Sequence, residues 1–178
     1  MPVAAFKIGL LPPVELIEAV HSLLRDYPQM PVVYDPKLYF ESASAVESDN
    51  LIEAIQTLLL PQVQVLSTNV NSMRKIARTA DTLKAGALEI LAMGSDYLLV
   101  RGIQEDAHTT TNHLYGNNRV LQQYQWERQP HSFLGTGSTL SSAIAGLVAQ
   151  GQEPLSAIQE AQRYTVNALK KAYRIGMG

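Results

Sequence analysis

A glycine-bracketed turn runs directly into a small-residue helix in the stretch FLGTGSTLSSAIAGLVAQG, residues 133–151. Gly135 and Gly137 allow backbone angles that other residues avoid, so successive amide N–H groups can point at one anion. The positive end of the following helix would add to that attraction. The turn therefore suits a phosphate group, although it can equally be a tight turn capped by Thr136 or Ser138 at the start of a well-packed helix.

Three further polar residues stand at the ends of short apolar runs. Asp35 follows PVVY and could hold a magnesium ion directly or through water, although an Asp before Pro is also a common turn starter. Asn69 ends VQVLSTN and could face a ligand or cap the next helix. Arg101 follows YLLV and could neutralise a transferring phosphate, or be solvated or paired with an acid.

The apolar runs that carry these residues predict strands that alternate with helices. FKIGLL, PVVYDP, VQVLSTN and DYLLVRG predict four strands, and we expect the first of them to be buried. Apolar spacing predicts helices over residues 14–27 and 47–60, then one or two more that Gly94 closes. TTNHLYGNNRVLQQYQW predicts a hairpin, and two helices over residues 136–150 and 154–173 complete the chain. We expect the aromatic residues of the hairpin, Tyr115, Tyr124 and Trp126, to pack at the sheet edge.

This order predicts an α/β fold: a mostly parallel sheet with helices on both faces and an antiparallel edge hairpin. Ligands of such sheets sit beyond the carboxyl ends of the strands, which is where Gly9, Asp35, Asn69 and Arg101 all fall. The 178 residues show no internal repeat and no linker, so we expect one domain over residues 1–178.

Composition narrows the classes of function. A net charge of −2 with scattered cations gives no basic face for nucleic acid, and no apolar run approaches the roughly 20 residues of a membrane span. The chain has no cysteine, and its four histidines show no ligand spacing, so we expect neither a thiolate site nor a His-based metal site. The start lacks the features of a signal peptide, and we expect a soluble cytoplasmic protein.

In order, the segments resemble the ribokinase-like superfamily and, within it, the hydroxymethylpyrimidine/phosphomethylpyrimidine kinases of thiamine biosynthesis. FKIGLL resembles the family's Lys-x-Gly-Met strand, PVVYDP its Val-Val-x-Asp-Pro, and LLLPQVQVLSTN the stretch ending Thr-Pro-Asn. YLLVRG resembles Val-Leu-Val-Lys-Gly, and GTGSTLSSAIA resembles Gly-Thr-Gly-Cys-Thr-Leu-Ser-Ser-Ala-Ile-Ala. The series covers essentially the whole chain and implies a three-layer ribokinase-like sandwich.

The resemblance implies an enzyme that uses ATP and magnesium to phosphorylate hydroxymethylpyrimidine and then its monophosphate. It implies a catalytic anion hole formed by Gly135, Thr136, Gly137 and Ser138. The other implied roles are nucleotide binding by Asn69, Arg101 and Gly102 together with Gly135 and Gly137, magnesium binding by Asp35, and contact with the pyrimidine alcohol by Lys7, Gly9 and Leu10.

Three departures from the family pattern keep alternatives open. Ser138 replaces the family's Cys, and a hydroxyl is a poorer base. Ser72 replaces a Glu that helps to arrange magnesium. We also expect a segment of roughly 70 residues to be missing before the first strand, which would leave the sheet uncovered and favour a homodimer. The alternatives are a non-catalytic member that binds nucleotide or pyrimidine, and a pyridoxal-type kinase, since Leu10 replaces a family Met.

Overall fold

Six strands form one sheet in which neighbours in space are also neighbours in the sequence. The computed structural model describes residues 2–11, 13–38, 45–103, 108–128 and 133–173. The first four strands pair in parallel, and the last two add an antiparallel hairpin at one edge. The strands are β1 (Phe6–Ile8), β2 (Val32–Tyr34), β3 (Val65–Asn69), β4 (Tyr97–Ile103), β5 (Thr109–Gly116) and β6 (Arg119–Glu127).

Helices cover both faces of this sheet. Each of the four parallel strands lies beside its predecessor, and connections of one hand place their helices on the same face. The two C-terminal helices follow the hairpin and cover the opposite face. The helices are α1 (Val14–Arg25), α2 (Ala45–Ala54), α3 (Val70–Ile76), α4 (Leu83–Ala92), α5 (Thr136–Ala149) and α6 (Pro154–Lys170).

Alternate residues of the central strands feed two separate cores. Tyr34 and Leu98 pack with α1 to α4 on one face. Val33, Val65 and Leu99 pack with α5 and α6 on the other. Because successive side chains of a strand point to opposite faces, both sets must be apolar, which explains the uninterrupted apolar runs in the sequence.

The predicted parallel sheet, its antiparallel edge and the hairpin are confirmed. Asn117 and Asn118 both have positive φ, at 49° and 58°, as a two-residue hairpin turn of this kind requires. Gly94, at φ 116°, follows the helix that it was predicted to close. Within the described ranges, no helix is long and apolar enough to cross a membrane.

Three elements differ from the predictions. The expected helix over residues 47–60 keeps α-helical geometry only to Ala54, and continues as a π-helical turn (Ile55–Leu59) and a 3-10 turn (Leu60–Gln62). Pro61 lacks an N–H and its ring interferes with the preceding turn, so the regular α ladder cannot continue through it. The strand β1 was expected to be buried, but it is an edge strand with Lys7 exposed. The last helix ends at Lys170 rather than at residue 173.

Candidate active site

Strand alternation brings three predicted site residues to the face that α5 covers. Val33 and Asp35 share a face, as do Val65 and Asn69, and as do Leu99 and Arg101. The apolar member of each pair packs in the core beneath α5 and α6. The polar member therefore projects toward the same helices just beyond that core, at the carboxyl ends of β2, β3 and β4.

Arg101 and Asp35 form a buried ion pair at this edge. Arg101 Nη2 donates to Asp35 Oδ1 at 2.7 Å, and the two side chains are 16% and 2% exposed. Nη2 also reaches the carbonyl oxygen of Ser67 at 3.5 Å, and Ser141 Oγ lies 3.4 Å from Asp35 Oδ2. Of the interpretations that the sequence left open for Arg101, pairing with an acid is thus observed. Its partner is the predicted metal ligand.

Burial of the pair affects the acid–base behaviour of its surroundings. Desolvation lowers the pKa of Arg101, and the negative charge of Asp35 acts in the opposite direction. Tyr34, which directly precedes Asp35, has its pKa raised by desolvation and then by that same negative charge. Both shifts reflect a site from which water is largely excluded.

The guanidinium of Arg101 lies against the first turn of α5. A Cβ placed on Gly137 would be 2.9 Å from both Cζ and Nη2 of Arg101, and closer still to Nη1. Real Cβ atoms essentially never come that close to another heavy atom, so any other residue at position 137 would require the Arg101 guanidinium to move.

The backbone at the start of α5 presents amide donors that have no partner within the helix. Gly135 is the N-cap residue, with φ 87°, and it has no side chain with which to cap the helix. Thr139 N donates to Gly135 O at 2.8 Å. The amides of Thr136, Gly137 and Ser138 precede that bond, so they have no partner within the helix. Thr136 Oγ1 donates to Phe133 O at 3.0 Å, so its hydroxyl fixes the turn and leaves these amides available.

Asn69 fulfils the capping role that the sequence left open. Its Oδ1 accepts from the backbone N–H of Ser72 at 2.8 Å, so Asn69 is the N-cap of α3. The residue is nevertheless exposed and lines a cavity next to Arg101. Ser72, at the position of the family's Glu, is buried and has no carboxylate to offer.

A bulge in β4 shapes the edge of that cavity. The register with β5 shifts between Val100 and Ile103, and Gly102 takes a positive φ of 72°. The N–H of Gly102 donates to Asn112 Oδ1 at 3.0 Å, and Asn112 Nδ2 donates to Gln162 Oε1 at 2.8 Å. This chain of hydrogen bonds ties β4, β5 and α6 together beside Arg101.

The cavity has a volume of about 750 Å³ and lies between the ends of β4 to β6 and the helices α5 and α6. Four predicted site residues line it: Asn69, Arg101, Gly102 and Thr136. Trp126 and Gln162 also line it, and no role for Gln162 was predicted from the sequence. Tyr115 and Tyr124 are buried as predicted, but Trp126 faces this cavity instead of serving only as edge packing.

Other predicted residues lie apart from the cavity. Ser138 lines a groove of about 630 Å³ between α5 and α6 that does not include Arg101. Lys7, Gly9 and Leu10 lie at the end of β1, where Leu10 is 55% exposed and Lys7 Nζ is packed over Gly9. Asn69, Arg101, Gly102 and Thr136 therefore come together at the cavity, whereas Lys7, Gly9 and Leu10, the residues predicted to contact the pyrimidine, do not line it.

The residues at this edge do not fit a magnesium ion held by the protein. Magnesium requires oxygen ligands, usually free carboxylates together with phosphates and water. Within the described part of the chain, no group of three or more His, Asp or Glu side chains could hold a metal ion. Asp35 is committed to Arg101, Asn69 Oδ1 is committed to the cap, and Ser72 is not a carboxylate.

Similar proteins share the sequence pattern over nearly the whole chain. The hydroxymethylpyrimidine/phosphomethylpyrimidine kinase of Streptomyces coelicolor is 30% identical over 99% of this chain and 66% of its own length. The thiamine biosynthetic bifunctional enzyme TH1 of Arabidopsis thaliana is 26% identical over 97% of this chain and 34% of its own length. The chain thus spans about a third to two thirds of the length of these relatives.

A solved structure with the same fold is the pyridoxal kinase of Staphylococcus aureus. It is 21% identical, with a TM-score of 0.85 over 97% of this chain and 64% of that one. This likeness confirms the predicted ribokinase-like α/β architecture. The sequence model of phosphomethylpyrimidine kinase matches residues 1–178, and the chain therefore belongs to the phosphomethylpyrimidine kinase family.

Proposed function

We propose that this chain carries the phosphate-handling part of an ATP-dependent kinase that phosphorylates hydroxymethylpyrimidine and its monophosphate in thiamine biosynthesis. The observation that carries the proposal is the position of the Arg101 guanidinium against the first turn of α5, at the wall of the 750 Å³ cavity. The names of the relatives, hydroxymethylpyrimidine/phosphomethylpyrimidine kinases, supply the substrate class.

The arrangement suits phosphoryl transfer because that reaction depends mainly on positioning and charge neutralisation. The amides of Thr136, Gly137 and Ser138 would hold the oxygens of the transferring phosphate, and Arg101 would neutralise the charge that develops there. The nucleoside part of ATP would occupy the cavity, with Trp126 offering an aromatic surface and Gly102 lining the wall. Magnesium would enter with the nucleotide as a counter-ion of its phosphates.

Ser138 has a restricted role in this proposal. A serine hydroxyl does not ionise near neutral pH, so it can orient an acceptor hydroxyl by a hydrogen bond but cannot act as an efficient base. Lys7, Gly9 and Leu10 are proposed to contact the acceptor ring from the end of β1. A turnover lower than that of Cys-containing relatives is the expected consequence.

A second candidate acceptor is a pyridoxine-type ring alcohol. The pyridoxine kinase of Bacillus subtilis is 26% identical over 96% of this chain, and pyridoxal kinases share its fold. Both rings carry a hydroxymethyl group, so the same phosphate site could serve either.

We also propose cytoplasmic function as a homodimer, for which the exposed edge of β1 offers a surface.

The test is an ADP-release assay of the purified chain with ATP, magnesium and either hydroxymethylpyrimidine or pyridoxine, alongside ATP titration by calorimetry. ADP release that depends on hydroxymethylpyrimidine supports the proposal, and release that depends only on pyridoxine supports the second candidate. ATP binding without release on either acceptor would identify a non-catalytic nucleotide-binding member. Absence of ATP binding would refute the proposed function.

A further inference from the structure

We propose that the Arg101–Asp35 ion pair replaces a protein-held metal ion at this site, so that nucleotide binding to the chain does not depend on a divalent cation. The inference rests on the proposed function, because it concerns the same phosphate site. It departs from the sequence-based expectation that Asp35 binds magnesium.

The first argument is the state of Asp35. Its carboxylate is 2% exposed, and Oδ1 accepts a charge-assisted hydrogen bond from Arg101 Nη2 at 2.7 Å. Oδ2 faces Ser141 Oγ at 3.4 Å. A magnesium ion on this carboxylate would lie a few ångströms from a guanidinium and would have to displace it. The displaced guanidinium of Arg101 would then lose the carboxylate that neutralises it. Both the displacement and the loss of this neutralisation oppose metal binding.

The second argument is that Arg101 is already oriented for an anion. Asp35 and the carbonyl of Ser67 engage Nη2, whereas Nη1 has no acceptor among the residues that the structure describes. Nη1 points to the first turn of α5, where a Cβ on Gly137 would collide with it. The N–H groups of Nη1, which have no acceptor among the described residues, therefore lie beside the first turn of α5, whose amides have no partner within the helix. An arginine fork together with a helix N-terminus can bind phosphate oxygens without a metal ion.

The third argument concerns charge and separates this proposal from metal binding. The pair Asp35–Arg101 carries no net charge, so Asp35 holds the guanidinium in position but also weakens its attraction for phosphate. Asparagine in place of Asp35 would still present an oxygen to Arg101 and would remove the negative charge. Phosphate binding should then strengthen, whereas it should weaken if Asp35 were a ligand of a metal that binds the nucleotide.

The first experiment uses the unaltered chain, so it does not depend on the folding of a variant. ADP is titrated by calorimetry in buffer with millimolar magnesium chloride and in the same buffer with EDTA. We expect the two dissociation constants to differ by less than threefold. A dissociation constant that is threefold or more higher in EDTA would overturn the inference while leaving the proposed function intact. Absence of ADP and ATP binding in both buffers would overturn the inference and the proposed function together.

The second experiment compares Asp35→Asn with Asp49→Asn, both titrated with ADP in buffer with millimolar magnesium chloride, where a metal ligand at position 35 would be needed if the metal bound the nucleotide. Asp49 is a matched control because it also pairs with an arginine, Arg78, but does so on the exposed surface of α2. Asp35→Asn should lower the dissociation constant roughly threefold to tenfold, the effect of one charge about 6 Å away at an intermediate dielectric constant. Asp49→Asn should leave it unchanged. An unchanged or raised constant for Asp35→Asn would refute the proposed role of the pair.

Discussion

Replacing Gly137 with alanine would test the position of the Arg101 guanidinium directly. The added methyl group would lie 2.9 Å from Cζ and Nη2, and closer to Nη1, whereas an ordinary contact is about 3.5 Å. The guanidinium is the end of a flexible side chain and would have to move, and its 2.7 Å bond to Asp35, which is buried and has no other charged partner in the described residues, opposes that movement. The substitution should therefore weaken the ion pair.

Two opposing contributions decide the change in the free energy of unfolding. Loss of one partner from a buried ion pair costs about 3–5 kcal/mol, because the other charge stays behind without compensation. Alanine in a helix is favoured over glycine by at most about 1 kcal/mol. Complete loss of the pair sets the upper limit, and we expect Gly137→Ala to lower the free energy of unfolding by about 1–4 kcal/mol.

Urea denaturation followed by circular dichroism would measure this change, with Gly146→Ala as the matched control. Gly146 lies in the same helix α5, and apart from its chain neighbours and the helix's own backbone no atom of the described residues is within 4 Å of the position that its Cβ would take. Gly146→Ala should raise the stability by about 0.5–1 kcal/mol through helix propensity alone. If Gly137→Ala were as stable as Gly146→Ala, the guanidinium would not occupy the first turn of α5, and the reasoning on the phosphate site would fail.

Two other predictions concern the surroundings of the pair. Asn112→Ala removes the acceptor of the Gly102 N–H and the donor to Gln162. We expect the free energy of unfolding, measured by urea denaturation, to fall by about 1–3 kcal/mol. ADP binding should also weaken, because the bulge beside Arg101 loses its support. Unaltered ADP affinity in a folded Asn112→Ala protein would contradict that positioning role. Burial and then the charge of Asp35 raise the pKa of Tyr34 above its ordinary 10.0. Above about pH 10 the folded state therefore holds more protons than the unfolded state, and the free energy of unfolding should fall as the pH rises further. In Tyr34→Phe this alkaline decline should be shallower between pH 9 and 11.5, and equal slopes in the two proteins would refute the assignment.

The order of strands and helices could be predicted from the sequence alone, because local periodicity and turn chemistry carry that information. Two asparagines that tolerate positive φ specified the hairpin, and near-continuous apolar runs specified strands covered on both faces. The glycine turn before α5 and the polar strand ends were also predictable, since parallel strands present their carboxyl ends at one edge. Pro61 was visible in the sequence, but its effect on the predicted helix over residues 47–60, which keeps α-helical geometry only to Ala54, was not anticipated.

Which of these polar residues contact one another could be seen only in the folded chain. Asp35 and Arg101 are 66 residues apart, and each had its own local interpretation, as metal ligand and as phosphate contact. Their pairing depends on the spacing of β2 and β4 across the sheet and on the room that Gly137 leaves beneath α5. Likewise, the role of Asn112 and Gln162 appears only when β4, β5 and α6 come together around the bulge at Gly102. Local patterns determine the face on which a side chain lies, but its partner is set by the packing of elements that are distant in the chain.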